Sequence, residues 1–293
     1  YVSFDSLSNW DVSNIEIFTG ALGLGYQKTL PDLSSWDLSN ATDISQFVRG
    51  TNFNESYAIN WDILNVTKMR GLFQETPFNQ DISTWNMNGV TDVVEMFKGN
   101  QFFDQPIGSW DVSNFTQTYS LFDQARAFNQ DVSSWDVSGW TQFNYLFRSA
   151  LLFNQDITNW NTGNVKIMWY CFNNAVAFNQ PIGSWNTSSV VNMKYMFYGA
   201  TSFDQDISQW DITNVTDFTQ FMGLITLSTA NYDALLIGWQ QTLETSFPSG
   251  VGYTPIISIS FGNSQFTIGG AGETAKNTLI NTFGWTITDG GGI

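Results

Sequence analysis

Tryptophan recurs at Trp10, Trp36, Trp61, Trp85, Trp110, Trp135, Trp160, Trp185 and Trp210, in steps of 26, 25 and 24 residues and then 25 five times running. A fixed period of this length limits the fold sharply. Each repeat is too small to bury its own apolar face, so it must stack on its neighbours as a solenoid does. Other residue types keep the same step. Phe78, Phe103, Phe128, Phe153, Phe178 and Phe203 stand seven residues before a Trp, and Gln80, Gln105, Gln130, Gln155, Gln180 and Gln205 stand five before it. Ile82, Ile107, Val132, Ile157, Ile182 and Ile207 stand three before it.

The short segment ending in this β-branched residue predicts one strand per repeat. After the Trp, apolar residues such as Val90, Val93, Met96 and Phe97 fall at spacings of three and four. That spacing predicts a short helical face, or a 3₁₀ turn in poorer copies, entered through a Ser/Thr/Asn cluster that would supply its N-cap. Small residues at Ala125, Ala150, Ala175 and Ala200 would let the chain turn into the next strand. Strands stacked in parallel at about 4.8 Å would give a rod of roughly 40 Å. The Gln column is expected to form an amide ladder, each amide bonding the next along the stack. The Trp column is read as core, with an exposed aromatic platform for sugars as its alternative.

Two acidic columns bear on metal binding. One runs Asp81, Asp131, Asp156 and Asp206, with Pro106 and Pro181 in its gaps; the other runs Asp11, Asp37, Asp62, Asp111, Asp136 and Asp211, with Asn86, Asn161 and Asn186 between. A metal column would not tolerate proline or the loss of charge. Asp and Asn interchange where a side chain accepts a backbone N–H two residues on, in an Asx turn. Structural turn chemistry is therefore expected, with no metal and no cofactor; calcium between turns is the minor alternative, since hard cations take oxygen ligands.

The chain has no His and one Cys, Cys171, so imidazole-based catalysis and internal disulfides are both out of reach. Cys171 reads as an inert core thiol. A net charge of −16 with ten Lys and Arg argues against binding nucleic acid or an anionic membrane through a basic surface. No run of about 18 apolar residues is present for membrane insertion. Opening at Tyr1 in mid-repeat and without Met, the sequence reads as a mature or excised piece.

With its columns aligned, the chain resembles the BspA-like leucine-rich-repeat surface proteins of bacteria, in the variant with about 25 residues per repeat. The resemblance rests on copies such as FNQDISTWNMNGVTDVVEMF (78–97), FNQDVSSWDVSGWTQFNYLF (128–147) and MFYGATSFDQDISQWDITNVTDF (196–218), and it covers roughly residues 4–222. It implies an α/β repeat fold: a leucine-rich-repeat-like solenoid with a parallel sheet of short strands and short helices or 3₁₀ turns on the other side, closed by a C-terminal α/β cap. The divisions expected are degenerate N-terminal repeats over 1–60, regular 25-residue repeats over 61–222 and a capping segment over 223–293. Copies before residue 60 depart from the pattern, and Gly20 to Leu30 lacks the FNQ strand. In the cap, helices are expected near Tyr232–Thr242 and Thr274–Phe283, and strands near Ile256–Ile268 and Trp285–Thr288. The resemblance further implies an exported, acidic, non-enzymatic adhesin module at the bacterial surface, giving a rigid scaffold for contact with a protein or glycan on another cell. A self-associating structural subunit of a surface filament is the alternative. It supplies no catalytic residues.

Overall fold

The computed structural model describes residues 4–23, 28–255 and 257–293. Each 25-residue repeat is a succession of tight turns in which an N–H closes on the carbonyl three residues earlier. In the Trp135 copy these closures run Trp135 to Val132, Trp140 to Val137, Leu146 to Phe143, Arg148 to Tyr145 and Ala150 to Phe147. Tyr145 and Ser149 stand third in two of these turns with φ of 54° and 55°, the left-handed third residue that a type II turn needs.

The N–H groups between these closures reach the next repeat. Phe143, Tyr145, Phe147 and Ser149 donate to the carbonyls of Ile167, Trp169, Cys171 and Asn173, and Tyr170, Phe172 and Asn174 pass the same bonds to Lys194, Met196 and Tyr198. Consecutive repeats therefore lie side by side, joined by backbone bonds over the segment from about six to fourteen residues after each Trp. Single parallel bridges mark this contact, at Ile17, Asp43, Lys68, Asp92 and Gln117 in one run and at Gln142, Ile167, Asn192 and Asp217 in a second. The break between the runs coincides with Trp140, an indole where neighbouring copies carry Phe115 and Val165; it is buried against Phe115 and edge-on to Phe143.

Two local expectations are corrected. The segments before each Trp, such as 78–82, form no strand, and residues 90–97 form no helix. The apolar spacing of three and four accompanies tight turns that each close over three residues, as Met96 does on Val93, and the N–H groups between these closures are given to the next repeat. Among the described residues the regular helical pieces within the repeats are 3₁₀ turns at Phe4–Asn9, Ser56–Asn60 and Ile182–Ser184.

Inside the stack the two Phe columns pair within and between repeats. Phe122 and Phe128 stack at 3.9 Å between ring centroids, Phe147 and Phe153 at 3.8 Å, and Phe122 lies 5.6 Å from Phe147 with planes 1° apart. Trp110, Trp135, Trp160, Trp185 and Trp210 of the column are buried and each donates Nε1–H to a carbonyl of the preceding repeat, as Trp135 does to Ile107 at 3.1 Å and Trp160 to Val132 at 3.0 Å. An indole here is thus both filler and hydrogen-bonded clasp, which meets the requirement that a buried N–H find a partner. Around the irregular copy with the 3₁₀ turn Ser56–Asn60, Trp61 and Trp85 keep the burial but not the acceptor.

The C-terminal segment holds α1 (Thr229–Ser246), β1 (Ser258–Ser260), α2 (Ala271–Asn281) and β2 (Thr286–Thr288), with β1 parallel to β2. The expected helices fall within about four residues of these bounds, and the strands expected near Ile256–Ile268 are short, β1 and a single parallel bridge from Phe266 to Gly292, with Ile256 outside the described residues. Ser228 caps α1 through its side chain. Trp239 of α1 repeats the clasp, donating to the Ile207 carbonyl at 3.1 Å, and its ring meets Phe218 and Phe221 of the last repeat. Met222 N–H, which would bond a next repeat, bonds Ser260 of β1 instead. At the crossing, a Cβ on Gly238 would stand 2.3 Å from the Ser208 carbonyl oxygen, so only glycine lets α1 lie this close. Tyr232 and Lys276 converge on the buried Asp289 carboxylate at 2.6 and 2.7 Å, tying both helices to the chain end.

Burying one indole removes roughly 150–250 Å² from water, about 4–6 kcal/mol. Trp135→Ala should therefore cost about 3–5 kcal/mol in chemical denaturation, and the wild-type indole should be shielded from an aqueous quencher.

Candidate interaction face

The acidic columns come first, because they are the obvious place for a cation. Asp111, Asp136 and Asp211 each accept the N–H two residues on, at 2.9 to 3.0 Å, and Asn86, Asn161 and Asn186 make the same bond. Asp81, Asp131, Asp156 and Asp206 do likewise at 2.9 Å. Each carboxylate thus spends one oxygen on its own turn. Hydrogen bonds from the Ser or Thr two residues on hold Asp111, Asp131, Asp136 and Asp156 below the ordinary carboxylate range. Among the described residues no group of three or more His, Cys, Asp or Glu is placed to hold a metal ion.

The Gln column lies half-buried, and the expected amide-on-amide ladder is corrected. Gln130 donates to the side chain and carbonyl of Asp104, Gln155 to those of Asn129, and Gln205 to those of Asn179. The partner is the Asn or Asp six residues before the previous Trp; its side-chain oxygen also accepts the N–H of its own counterpart one repeat on, as Asp104 does from Asn129. The column therefore clamps adjacent repeats through two residue types. Ser228 and Asn231 end it on Asp204. Gln80, Gln105 and Gln180 make the equivalent bonds to Asn54, Asn79 and Asn154. The Trp and Phe ladders are core and offer nothing to a ligand; Trp10, at 53% exposure, is the exception in the Trp column. Cys171 is fully buried and its thiol is pushed well up by desolvation, which removes it as a nucleophile.

What remains available is the inter-repeat segment six to fourteen residues after each Trp. Its tenth position is left-handed in every copy from Gln46 onward: Gln46, Gly71, Glu95, Ser120, Tyr145, Tyr170, Tyr195 and Gln220 have φ between 53° and 60°. Glycine is the natural occupant, and a bulky side chain there carries a conformational cost on the order of 1 kcal/mol. Three successive copies nevertheless place tyrosine at it. The rings stack along the repeats, Tyr145 to Tyr170 at 5.1 Å and Tyr170 to Tyr195 at 4.8 Å, with Tyr198 tilted against Tyr195 and Trp169 against Tyr145. All five are half-buried rather than core.

Charge sorts along with the aromatics. Seven of the ten Lys and Arg (Arg49, Lys68, Arg70, Lys98, Arg148, Lys166 and Lys194) occupy this segment. Over 141–149, 166–174 and 191–199 it holds Arg148, Lys166 and Lys194 and no Asp or Glu. Arg148 lies 4.7 Å from the Tyr145 ring centroid and forks onto Asp123 of the previous copy at 2.7 Å; Lys194 lies 5.8 Å from the Tyr195 ring. Burial pushes the Asp123 carboxyl up while Arg148 opposes the shift, and that contact keeps Arg148 firmly charged. Burial and the flanking tyrosines raise the Tyr170 hydroxyl, so it stays a neutral donor at physiological pH. Tyr, Trp and Arg are the residues enriched where proteins meet other proteins. Sequence reading missed this patch because its tyrosines were lost among the core aromatics; the 25-residue step from Tyr145 to Tyr195 and the clustering of cations were both visible.

A family model described as "Mycoplasma protein of unknown function, DUF285" matches the chain over residues 2–76, 45–151 and 131–233, three overlapping stretches that together span all the Trp-bearing repeats. Comparison with curated proteins and with solved structures finds no match.

The Asx turns give a test of the acidic columns. Asp136→Asn should leave the melting temperature nearly unchanged, because three copies already use Asn, whereas Asp136→Ala should lower it. A carboxyl depressed in the folded state stabilises fully above its unfolded pKa of about 3.9 and loses that contribution as pH falls through the lower folded value. The penalty of Asp136→Ala should therefore be constant from pH 7 to about 5 and shrink below about pH 4. Millimolar calcium should leave the wild-type melting temperature where it is, since a ligand of the folded state alone would raise it.

Proposed function

The chain belongs to the DUF285 repeat family, and from that premise we propose that it is a non-enzymatic, surface-displayed scaffold of the BspA-like leucine-rich-repeat kind, a solenoid whose aromatic, cationic face makes contact with protein. Inter-repeat backbone bonds and stacked aromatics give the stiffness such a scaffold needs, and the C-terminal segment that covers the last repeat serves as its cap. The observation that carries the reading is the Tyr145–Tyr170–Tyr195 stack. These side chains cost backbone strain and fill no core, so their use lies at the surface.

Protein fits the face better than glycan does. A sugar stacks on an open ring face, but here the tyrosine faces cover one another and offer edges and hydroxyls outward. Those edges, with Arg148, Lys166 and Lys194 beside them, suit a polar protein surface carrying carboxylates. Catalysis finds no support in the carboxylates, which are engaged in turns, and an extracellular site of action accords with a surface built from Asn, Asp, Ser and Thr. Among the described residues no helix is long and apolar enough to cross a membrane.

Beads coated with the full chain should adhere to a protein-bearing surface or to beads coated with the same chain. Tyr170→Gly should weaken that adhesion by about tenfold or more. It should do so without unfolding the chain, since Gly71 occupies the same left-handed position. Adhesion that is absent, or indifferent to Tyr170, counts against the reading.

A further inference from the structure

We propose that the protein contacted by the tyrosine face is a second copy of this chain, docked side by side with its carboxylate edge against the face; this rests on the surface-contact reading above. Charge partition is the first support. The inter-repeat segments of the Trp135, Trp160 and Trp185 copies carry three cations and no carboxylate of their own, in a chain of net charge −16. Two such faces could not oppose each other without placing cation against cation. The complementary surface is on the same molecule, at the corner around each Trp. There Asp111, Asp131, Asp136 and Asp156 are exposed in three successive copies. Each engages its Oδ1 in an Asx turn, which fixes the carboxylate in place and leaves Oδ2 for a partner.

Spacing is the second support. On the face one cation falls in each of three successive copies, and on the edge at least one carboxylate falls in each of three successive copies. Arg148 is already held by Asp123, so the cations left for a partner are Lys166 and Lys194 in adjacent copies, and a neighbouring stack aligned along the same direction presents carboxylates in adjacent copies to meet them. A partner of unrelated fold would match one pair and drift off the next. Lys166 and Lys194 form no salt bridge within the described chain, so they are free for this role. At physiological ionic strength the screening length is about 8 Å, which leaves the direct contacts and removes most of the repulsion between two acidic chains.

Face and edge are different surfaces, so the contact is heterologous and does not close on itself. Copies add laterally, each offering a free edge on one side and a free face on the other.

Sedimentation of the full chain over a concentration series at physiological salt tests this. The wild type should grow past a dimer as concentration rises. A face variant, Lys166→Glu with Lys194→Glu and Tyr170→Gly, should remain monomeric. So should an edge variant, Asp111→Asn with Asp131→Asn, Asp136→Asn and Asp156→Asn, in which Asn keeps the Asx turns. Mixed together, the two variants should form one-to-one dimers and stop there, because each retains the surface the other lacks. A wild type that is monomeric at millimolar concentration overturns the proposal, as does association that survives in both variants or a mixture that stays monomeric. If the wild type is monomeric yet its beads still adhere to another protein in a Tyr170-dependent way, the surface-contact reading stands and the homotypic partner falls.

Discussion

Everything in this molecule depends on where the backbone donors of the segment after each Trp are spent. A repeat of 25 residues has too few apolar groups to fold by itself, and its tight turns satisfy only some of its N–H groups. The remainder, as at Phe143, Tyr145, Phe147 and Ser149, point along the stack and are met by the next copy. Buried backbone groups must be paired, so a repeat without a neighbour would be left with unpaired donors on one side and unpaired acceptors on the other. Stability is then a property of contacts between copies. The indole clasps and the Gln–Asx clamps reinforce the same direction, each reaching back one repeat. The C-terminal segment meets the last repeat with the same kinds of bond made by other residues: Trp239 for the clasp, Asn231 for the clamp and Ser260 for the backbone acceptor.

This arrangement also explains how function could be added to a scaffold that looks uniform. Inward positions are filled by stacked rings that tolerate little change, and corner positions are committed to Asx turns. The left-handed tenth position is different. Its side chain is half-buried or exposed at Gln46, Glu95, Tyr145, Tyr170, Tyr195 and Gln220 and buried at Ser120, so residues as different as Gly71, Ser120, Glu95 and Tyr170 occupy it at a modest conformational cost. Variation is cheapest there, and that is where the aromatic patch has been placed, together with cations that the rest of the chain largely lacks.

The period of the Trp and Phe columns, the turn role of Asp and Asn and the two C-terminal helices were legible from the residues, because each rests on burial or local chemistry. Bond direction was not. Val90, Val93, Met96 and Phe97 have the spacing of a helix face, and a chain of three-residue turns has the same spacing; only the destination of the N–H groups distinguishes them. Gln105 and Gln130 read as a self-stacking ladder because the sequence aligns them, but a side chain reaching back to Asn79 or Asp104 meets a better acceptor one position away. The tyrosine patch was visible as a 25-residue step and went unread among so many aromatics, since what separates Tyr170 from Phe172 is which way the backbone turns.

Amide hydrogen exchange at single-residue resolution across 141–150 tests the central claim most directly. The account predicts slow exchange at Phe143, Tyr145, Phe147 and Ser149, the donors to the next copy, at a rate shared with Met168, Tyr170, Phe172 and Asn174 because the copies open together. Fast exchange at those four amides, or protection that spreads from the middle of a single copy independently of its neighbour, as in a helix fraying from its ends, would contradict it.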